Sequence, residues 1–167
     1  MQLYHFDYCA PICQLHIVTD GRYIFELTMD TQVSKFTCTK EIGKEHHLYK
    51  QTVCWLDSYF RSKPLTNEDL PLRLHGTAFQ LAVWDRLCRI PFGQAITYGQ
   101  IADDIGKQMG KQKMSAQAIG QAIGANPIHI IVPCHRVIGA SGKLTGYAGG
   151  VQNKQWLLNH EKIQFKP

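Results

Sequence analysis

The sequence predicts an α/β (α+β) chain: a small N-terminal antiparallel sheet with a packed helix, followed by a mostly helical part built around a helix-turn-helix. Three observations predict it. In the first half, short alternating runs of apolar and polar residues flank Asp20-Gly21, and Asp-Gly between such runs signals a hairpin. In the second half, Thr77 with Gln80 and Thr97 with Gln100 stand at capping-box spacing ahead of helically periodic stretches. Between the halves, residues 62 to 71 are polar and carry Pro64 and Pro71. They read as a linker that divides the chain into domains 1 to 70 and 71 to 167.

Taken in order, Leu15, Ile17 and Val18 supply one strand of the hairpin and residues 23 to 29 the other. Residues 33 to 39, with Phe36 and Cys38 among the apolar members, are expected to add a third strand. Residues 46 to 60 set Leu48, Val53, Leu56 and Phe60 near helical spacing and form the packed helix. His5, Cys9, Cys13 and His16 are residue types that zinc prefers. Pro11 interrupts any helix that would gather them and the stretch alternates like a strand, so they read as core and surface residues and no metal is expected.

Past the linker, Phe79, Ala82, Val83, Leu87 and Ile90 recur on one helical face until Pro91-Phe92-Gly93. A second helix opens at Thr97, runs to about Ile105 and stops at Gly106. After a basic, polar loop, Ser115 caps a third helix over residues 116 to 124, ended by Asn126-Pro127. Two short helices joined by a loop are the helix-turn-helix pattern. Ala118, Gly120, Ala122 and Gly124 make the third helix smooth, which suits close approach by DNA or by a neighbouring helix, since an interior glycine costs about 1 kcal/mol. Residues 139 to 142 then read as a turn, 143 to 150 as a glycine-rich loop, and 151 to 161 as a last helix carrying Trp156 and Leu157.

A chain of 167 residues buries roughly 70% of its unfolded surface without a metal or disulfide staple. Its net charge of +5 is unevenly spread: residues 1 to 76 carry 8 Lys/Arg against 9 Asp/Glu (−1), and residues 77 to 167 carry 10 against 4 (+6). The surplus in the second half favours a polyanionic partner. No apolar stretch approaches membrane-spanning length and the N-terminus lacks a signal-like segment. Six scattered cysteines without secretory context read as reduced thiols. A soluble intracellular protein, cytoplasmic or associated with the nucleoid or nucleus, is expected.

The chain is centred on residues 130 to 139. Ile130-Ile131-Val132 read as a short buried strand that Pro133 must end, because proline cannot donate to a ladder. Cys134 follows, flanked by an imidazole and a guanidinium that favour thiolate, and is the strongest nucleophile the chain offers. Pro133-Cys134-His135-Arg136-Val137 resembles the acceptor motif of the O6-alkylguanine-DNA alkyltransferases, the methylated-DNA–protein-cysteine methyltransferases of direct DNA repair. The resemblance extends through Gly124-Ala125-Asn126-Pro127, Gly146-Tyr147-Ala148-Gly149-Gly150, Trp156-Leu157-Leu158 and Glu161. It covers residues 77 to 167 well and the first 76 loosely.

That resemblance implies a winged-helix-like alkyltransferase domain that takes a methyl or other alkyl group from O6-alkylguanine, with O4-alkylthymine open, onto Cys134. The step is irreversible and single-turnover, needs no cofactor, and acts on duplex DNA as a monomer. Adjacent side chains diverge, so a water is the natural relay between Cys134 and His135. Glu161 is implied as the orienting partner of His135. Asn126 is implied to tie the DNA-binding helix to the cysteine turn, and Tyr98 to contact a phosphate and hydrogen-bond the guanine. Tyr147 is implied to line one face of the base pocket, while the backbones of Val137 and Ala148 hold the base edge. Ala118 and Gly120 belong to the smooth DNA-facing helix, and Arg136, grouped with the base-binding residues, bonds carbonyls beneath the site. Gln117 stands where better-known relatives carry an arginine that fills the gap left by an extruded nucleotide.

Other readings differ in their tests. An alkyltransferase-like protein that binds the lesion without repairing it would lack the acceptor cysteine, which this chain has. A helix-turn-helix regulator would prefer one sequence regardless of damage, and a cysteine hydrolase would turn over an ester or amide.

Overall fold

The structure is a computed structural model and describes residues 2–38, 40–63, 66–111 and 114–167. Two compact units emerge: Met1–His75 with Pro127–His129, and Gly76–Asn126 with Ile130–Pro167.

The first unit is an antiparallel sheet of β1 (Tyr4–Cys9), β2 (Gln14–Thr19) and β3 (Ile24–Met29), in that order, with a helix, α1 (His47–Phe60). The hairpin at Asp20-Gly21 forms, and the Asp20 carboxylate accepts from the backbone N–H groups of Arg22 and Tyr23. The third strand is β1, not residues 33 to 39. Among the described residues of that segment there is no strand, and Thr39 lies outside them. The buried Glu26 carboxylate explains the difference: it accepts from the Lys35 N–H at 3.1 Å and from the Ser34 hydroxyl, whose Oγ accepts from the Phe36 N–H. Polar groups that a ladder needs are spent on side chains. Helix α1 buries Leu48, Thr52, Trp55, Leu56 and Tyr59. It is held on β1 by the Tyr8 hydroxyl donating to Asp57 at 2.7 Å and by the Phe6 and Tyr49 rings 4.9 Å apart. Beside β3, the Leu27 N–H donates to the Pro127 carbonyl and the His129 N–H to the Leu27 carbonyl, both at 2.9 Å.

The second unit contains α2 (Ala78–Cys88), β4 (Ile96–Thr97), α3 (Tyr98–Gln108), α4 (Ala116–Gly124), β5 (Val137–Ile138) and α5 (Val151–His160). Both capping boxes form, Thr77 with Gln80 and Thr97 with Gln100, and Ser115 caps α4. Helix α3 passes through Gly106 rather than stopping there. A Cβ at Gly106 would come within 3.2 Å of the Lys111 carbonyl, so this glycine serves the close return of the chain. Trp84 of α2 donates its indole N–H to the Ala122 carbonyl of α4 at 2.8 Å, and Arg86 pairs with Asp104 of α3 at 2.7 Å. These anchors position the α3–α4 pair. Among the described residues no helix is long and apolar enough to cross a membrane.

The expected strand at Ile130-Ile131-Val132 is instead a fully buried turn. Ile130 has φ +67°, a left-handed conformation that a β-branched residue rarely adopts and that costs about 1–3 kcal/mol. An apolar run of this length reports burial, not backbone conformation. Cys134 therefore opens a short 3₁₀ turn, Cys134–Arg136, and the strand comes after it, β5 pairing parallel with β4.

Candidate active site

Cys134 is 3% exposed at the floor of a pocket of about 420 Å³ within the second unit, a volume in the range of small-ligand sites. Tyr98 of α3 and Ala116, Gly120 and Ile123 of α4 form one part of its wall. Thr145, Tyr147 and Ala148 of the glycine-rich loop form another. Gly120 packs beside Tyr98: a Cβ there would just touch the phenol ring, at 4.0 Å.

Asn126 follows the C-terminus of α4 and is 4% exposed. Its Nδ2 donates to the Val132 carbonyl at 2.9 Å and to Cys134 Sγ at 3.0 Å. One amide thus fixes the turn and aims a donor at the sulfur. Burial raises the Cys134 thiol above its ordinary value, opposed by the Asn126 hydrogen bond and the Lys154 charge. The resting group is a neutral thiol, protected from casual oxidation until its proton is taken.

Behind it, His135 Nε2 meets Glu161 Oε1 at 2.7 Å, both side chains fully buried. Arg136 grips the same carboxylate through Nε at 2.8 Å and Nη2 at 3.1 Å. Its Nη1 donates to the Ile90 carbonyl at 2.6 Å, and the Gly93 N–H donates to Glu161 Oε2 at 3.1 Å. Burial pushes the Glu161 carboxyl up, but the hydrogen bonds and charges of His135 and Arg136 together outweigh it and hold it far below the usual carboxylate range. Burial lowers His135, with Glu161 opposing. The imidazole is neutral at pH 7, and the carboxylate fixes the tautomer with hydrogen on Nε2, leaving Nδ1 the basic nitrogen.

The residues singled out by sequence fall into three places. Cys134, Tyr98, Gly120, Tyr147 and Ala148 line the pocket. Asn126, His135, Arg136 and Glu161 stand in the buried layer beneath. Val137, Gln117 and Ala118 are outside the lining: Val137 is buried and its carbonyl accepts from Lys154 at 2.6 Å, Ala118 is half-buried, and Gln117 is exposed on the first turn of α4. Two residues escaped the sequence reading. Thr145 lines the pocket, and Lys154 reaches its hydroxyl at 3.0 Å from α5. The signal for Lys154 was its register: it precedes Leu157, Leu158 and Glu161 by three, four and seven residues, on the buried face of the helix.

The chain also matches known proteins over nearly all of its length. The family described as "6-O-methylguanine DNA methyltransferase, DNA binding domain" matches residues 78–163. The methylated-DNA–protein-cysteine methyltransferase of Mycobacterium bovis is 54% identical over 92% of this chain and 88% of its own length. That of Haemophilus influenzae is 34% identical over 98% of this chain and 88% of its own. The crystal structure of Mycobacterium tuberculosis OGT in complex with DNA superposes with a TM-score of 0.81 at 43% identity, covering 97% of this chain and 93% of that one. A buried cysteine backed by imidazole and carboxylate, in a chain that these relatives match over more than 90% of its length, places the protein in the methylated-DNA–protein-cysteine methyltransferase family.

Proposed function

We propose that this protein repairs DNA directly, taking a methyl or larger alkyl group from O6 of guanine in duplex DNA onto Sγ of Cys134. The observation that carries the reading is a thiol at the floor of a base-sized pocket, 3.0 Å from the Asn126 amide and backed by the buried His135–Glu161–Arg136 cluster. His135 Nδ1 takes the thiol proton through a water, and the imidazolium that forms is stabilised by Glu161. The thiolate attacks the alkyl carbon in line. The C–O6 bond breaks, its electron pair stays with the base, and Tyr98 returns a proton to the departing guanine. A thioether has no exit by this chemistry, so each molecule acts once.

The lesion must leave the base stack to reach a buried sulfur, and extrusion of the nucleotide is the usual solution. The α3–α4 pair, in the basic part of the chain, supplies the duplex contacts, and we assign DNA binding and alkyl acceptance together to residues 71 to 167. Arg136 acts through Glu161 beneath the site. A reagent that depends on one reduced thiol belongs in a reducing compartment such as the cytoplasm. Intact-mass analysis after incubation with O6-methylguanine duplex, followed by peptide mapping, tests the reading: one methyl on Cys134 supports it, and sustained turnover or an unmodified Cys134 rules it out.

Gln117 is proposed to fill the space vacated by the extruded nucleotide. Its exposed position beside the pocket-lining Ala116 suits that role. Gln117→Ala is expected to slow transfer from duplex DNA about tenfold while leaving transfer from the free base within about twofold, because a free base needs no extrusion. Gln117→Arg is expected to tighten duplex binding by adding a cation near the phosphates. Equal losses on both substrates would assign Gln117 to the fold or the pocket instead.

A further inference from the structure

Lys154 is a cation in an unusual place. It is 1% exposed, yet it lies in the same helix face as Leu157 and Leu158. Its Nζ donates to the Val137 carbonyl at 2.6 Å and to Thr145 Oγ1 at 3.0 Å. Thr145 Oγ1 is in turn 3.0 Å from the Tyr98 hydroxyl, and both Thr145 and Tyr98 line the pocket above Cys134. The Thr145 methyl faces Gly139 so closely that a Cβ there would come within 3.1 Å of it. The methyl thus lies on the Gly139 side, while the hydroxyl meets the lysine and the tyrosine.

The chain of bonds has a direction. Lysine only donates and a carbonyl only accepts, whereas a threonine hydroxyl owns one hydrogen. With Thr145 Oγ1 accepting from Lys154, its own hydrogen is available to bridge to Tyr98 Oη at 3.0 Å, and this is the direction the proposal takes. An ammonium behind a hydroxyl polarises it and strengthens that donation. We propose that Lys154 and Thr145 are positioning residues that set the polarity of Tyr98, turning its O–H into the pocket as the proton donor to the departing base. The proposal rests on the function argued above. As the C–O6 bond breaks, the Tyr98 proton passes to the base, the phenolate left behind accepts from Thr145 with the Lys154 charge behind it, and bulk water later restores the proton. Burial lowers Lys154 to about 8, with Cys134 nearby opposing, so it is still largely protonated at pH 7.

Single-turnover transfer from O6-methylguanine duplex, read by intact mass at saturating protein, tests this with Thr145→Val, Thr145→Ser and Tyr98→Phe. Valine keeps the methyl against Gly139 and removes the hydroxyl. Thr145→Val is expected to slow transfer about tenfold with duplex affinity within about twofold of wild type, and Thr145→Ser to stay within about threefold of the wild-type rate. In the Tyr98→Phe background Thr145→Val is expected to cost nothing further, because the bond it breaks has already lost its target. A wild-type rate for Thr145→Val, a Thr145→Ser as slow as Thr145→Val, or losses that multiply with Tyr98→Phe would each overturn the relay while leaving the assigned reaction standing. A wild-type protein that takes up no alkyl group would overturn the reaction, and the relay with it.

Discussion

Cys134→Ala is expected to abolish alkyl uptake altogether and to leave duplex affinity within about twofold of wild type, since the sulfur supplies the chemistry and the helix pair the binding. The variant should fold. Asn126 Nδ2 gives up the weak sulfur acceptor for one of its two hydrogens but keeps its bond to the Val132 carbonyl at 2.9 Å, so the turn stays anchored. Intact mass gives the first quantity and fluorescence anisotropy on a labelled duplex the second. The other five cysteines serve as the control. Cys9 and Cys54 are exposed, Cys13, Cys38 and Cys88 half-buried, and Cys13 is pushed up to about 11 by burial and by Asp30. Replacing these five should leave the methyl on Cys134 undiminished, and any single-turnover transfer by Cys134→Ala would move the acceptor elsewhere.

Glu161→Gln is expected to produce the largest combined loss. The carboxylate is the counter-charge for Arg136 and the orienting acceptor for His135, and an amide answers neither charge. Leaving the buried guanidinium unpaired costs about 3–5 kcal/mol. The imidazolium formed when His135 takes the thiol proton loses its stabilising partner, for roughly a 10²–10⁴-fold slower transfer. The two effects separate with pH. The Glu161 carboxyl is held below its ordinary 4.5 in the folded protein, so its contribution to stability is fully present above that pH and is lost on acidification below it. The stability gap between wild type and Glu161→Gln, measured by urea unfolding, should therefore be widest at neutral pH and narrow below about pH 4.5. A gap that stays constant into acid would show that the carboxylate is not the ionised partner of Arg136.

Local chemistry was legible wherever a residue acts on its own neighbours. Thr77, Thr97 and Ser115 cap helices through bonds that span three residues, and Asp20 organises its own turn, so spacing alone revealed them. What spacing missed were contacts made across the chain. Residues 33 to 39 look strand-like by composition, but a carboxylate from β3 captures the backbone there, and Tyr4–Cys9 takes the place in the sheet instead. Ile130, Ile131 and Val132 are apolar because they are buried, which says nothing of their backbone, and a positive φ is invisible in an isoleucine. The surplus charge of the second half favours a polyanionic partner, but two of its cations, Arg136 and Lys154, spend their charge inside the fold. Cys134, His135 and Glu161 were visible through the motif. Lys154 was not, because a lysine on a helix reads as solvated unless its register against Leu157, Leu158 and Glu161 is weighed.

The stretch Pro127–His129 has a further consequence. It belongs to the first unit, bonded to Leu27 of β3, while the residues on both sides of it belong to the second. The polypeptide therefore crosses from one unit to the other three times, after His75, after Asn126 and after His129. A protease that nicks the polar stretch at residues 62 to 71 severs none of these crossings. The cut falls within the first unit, and the larger fragment carries both the acceptor cysteine and a piece of the sheet's edge. A fragment cut to begin at Gly76 would leave the backbone groups of Pro127 and His129 without the Leu27 partners they have here, an open edge of the kind that recruits foreign strands. A cut after His75 removes one crossing and leaves the other two without the unit they lead to.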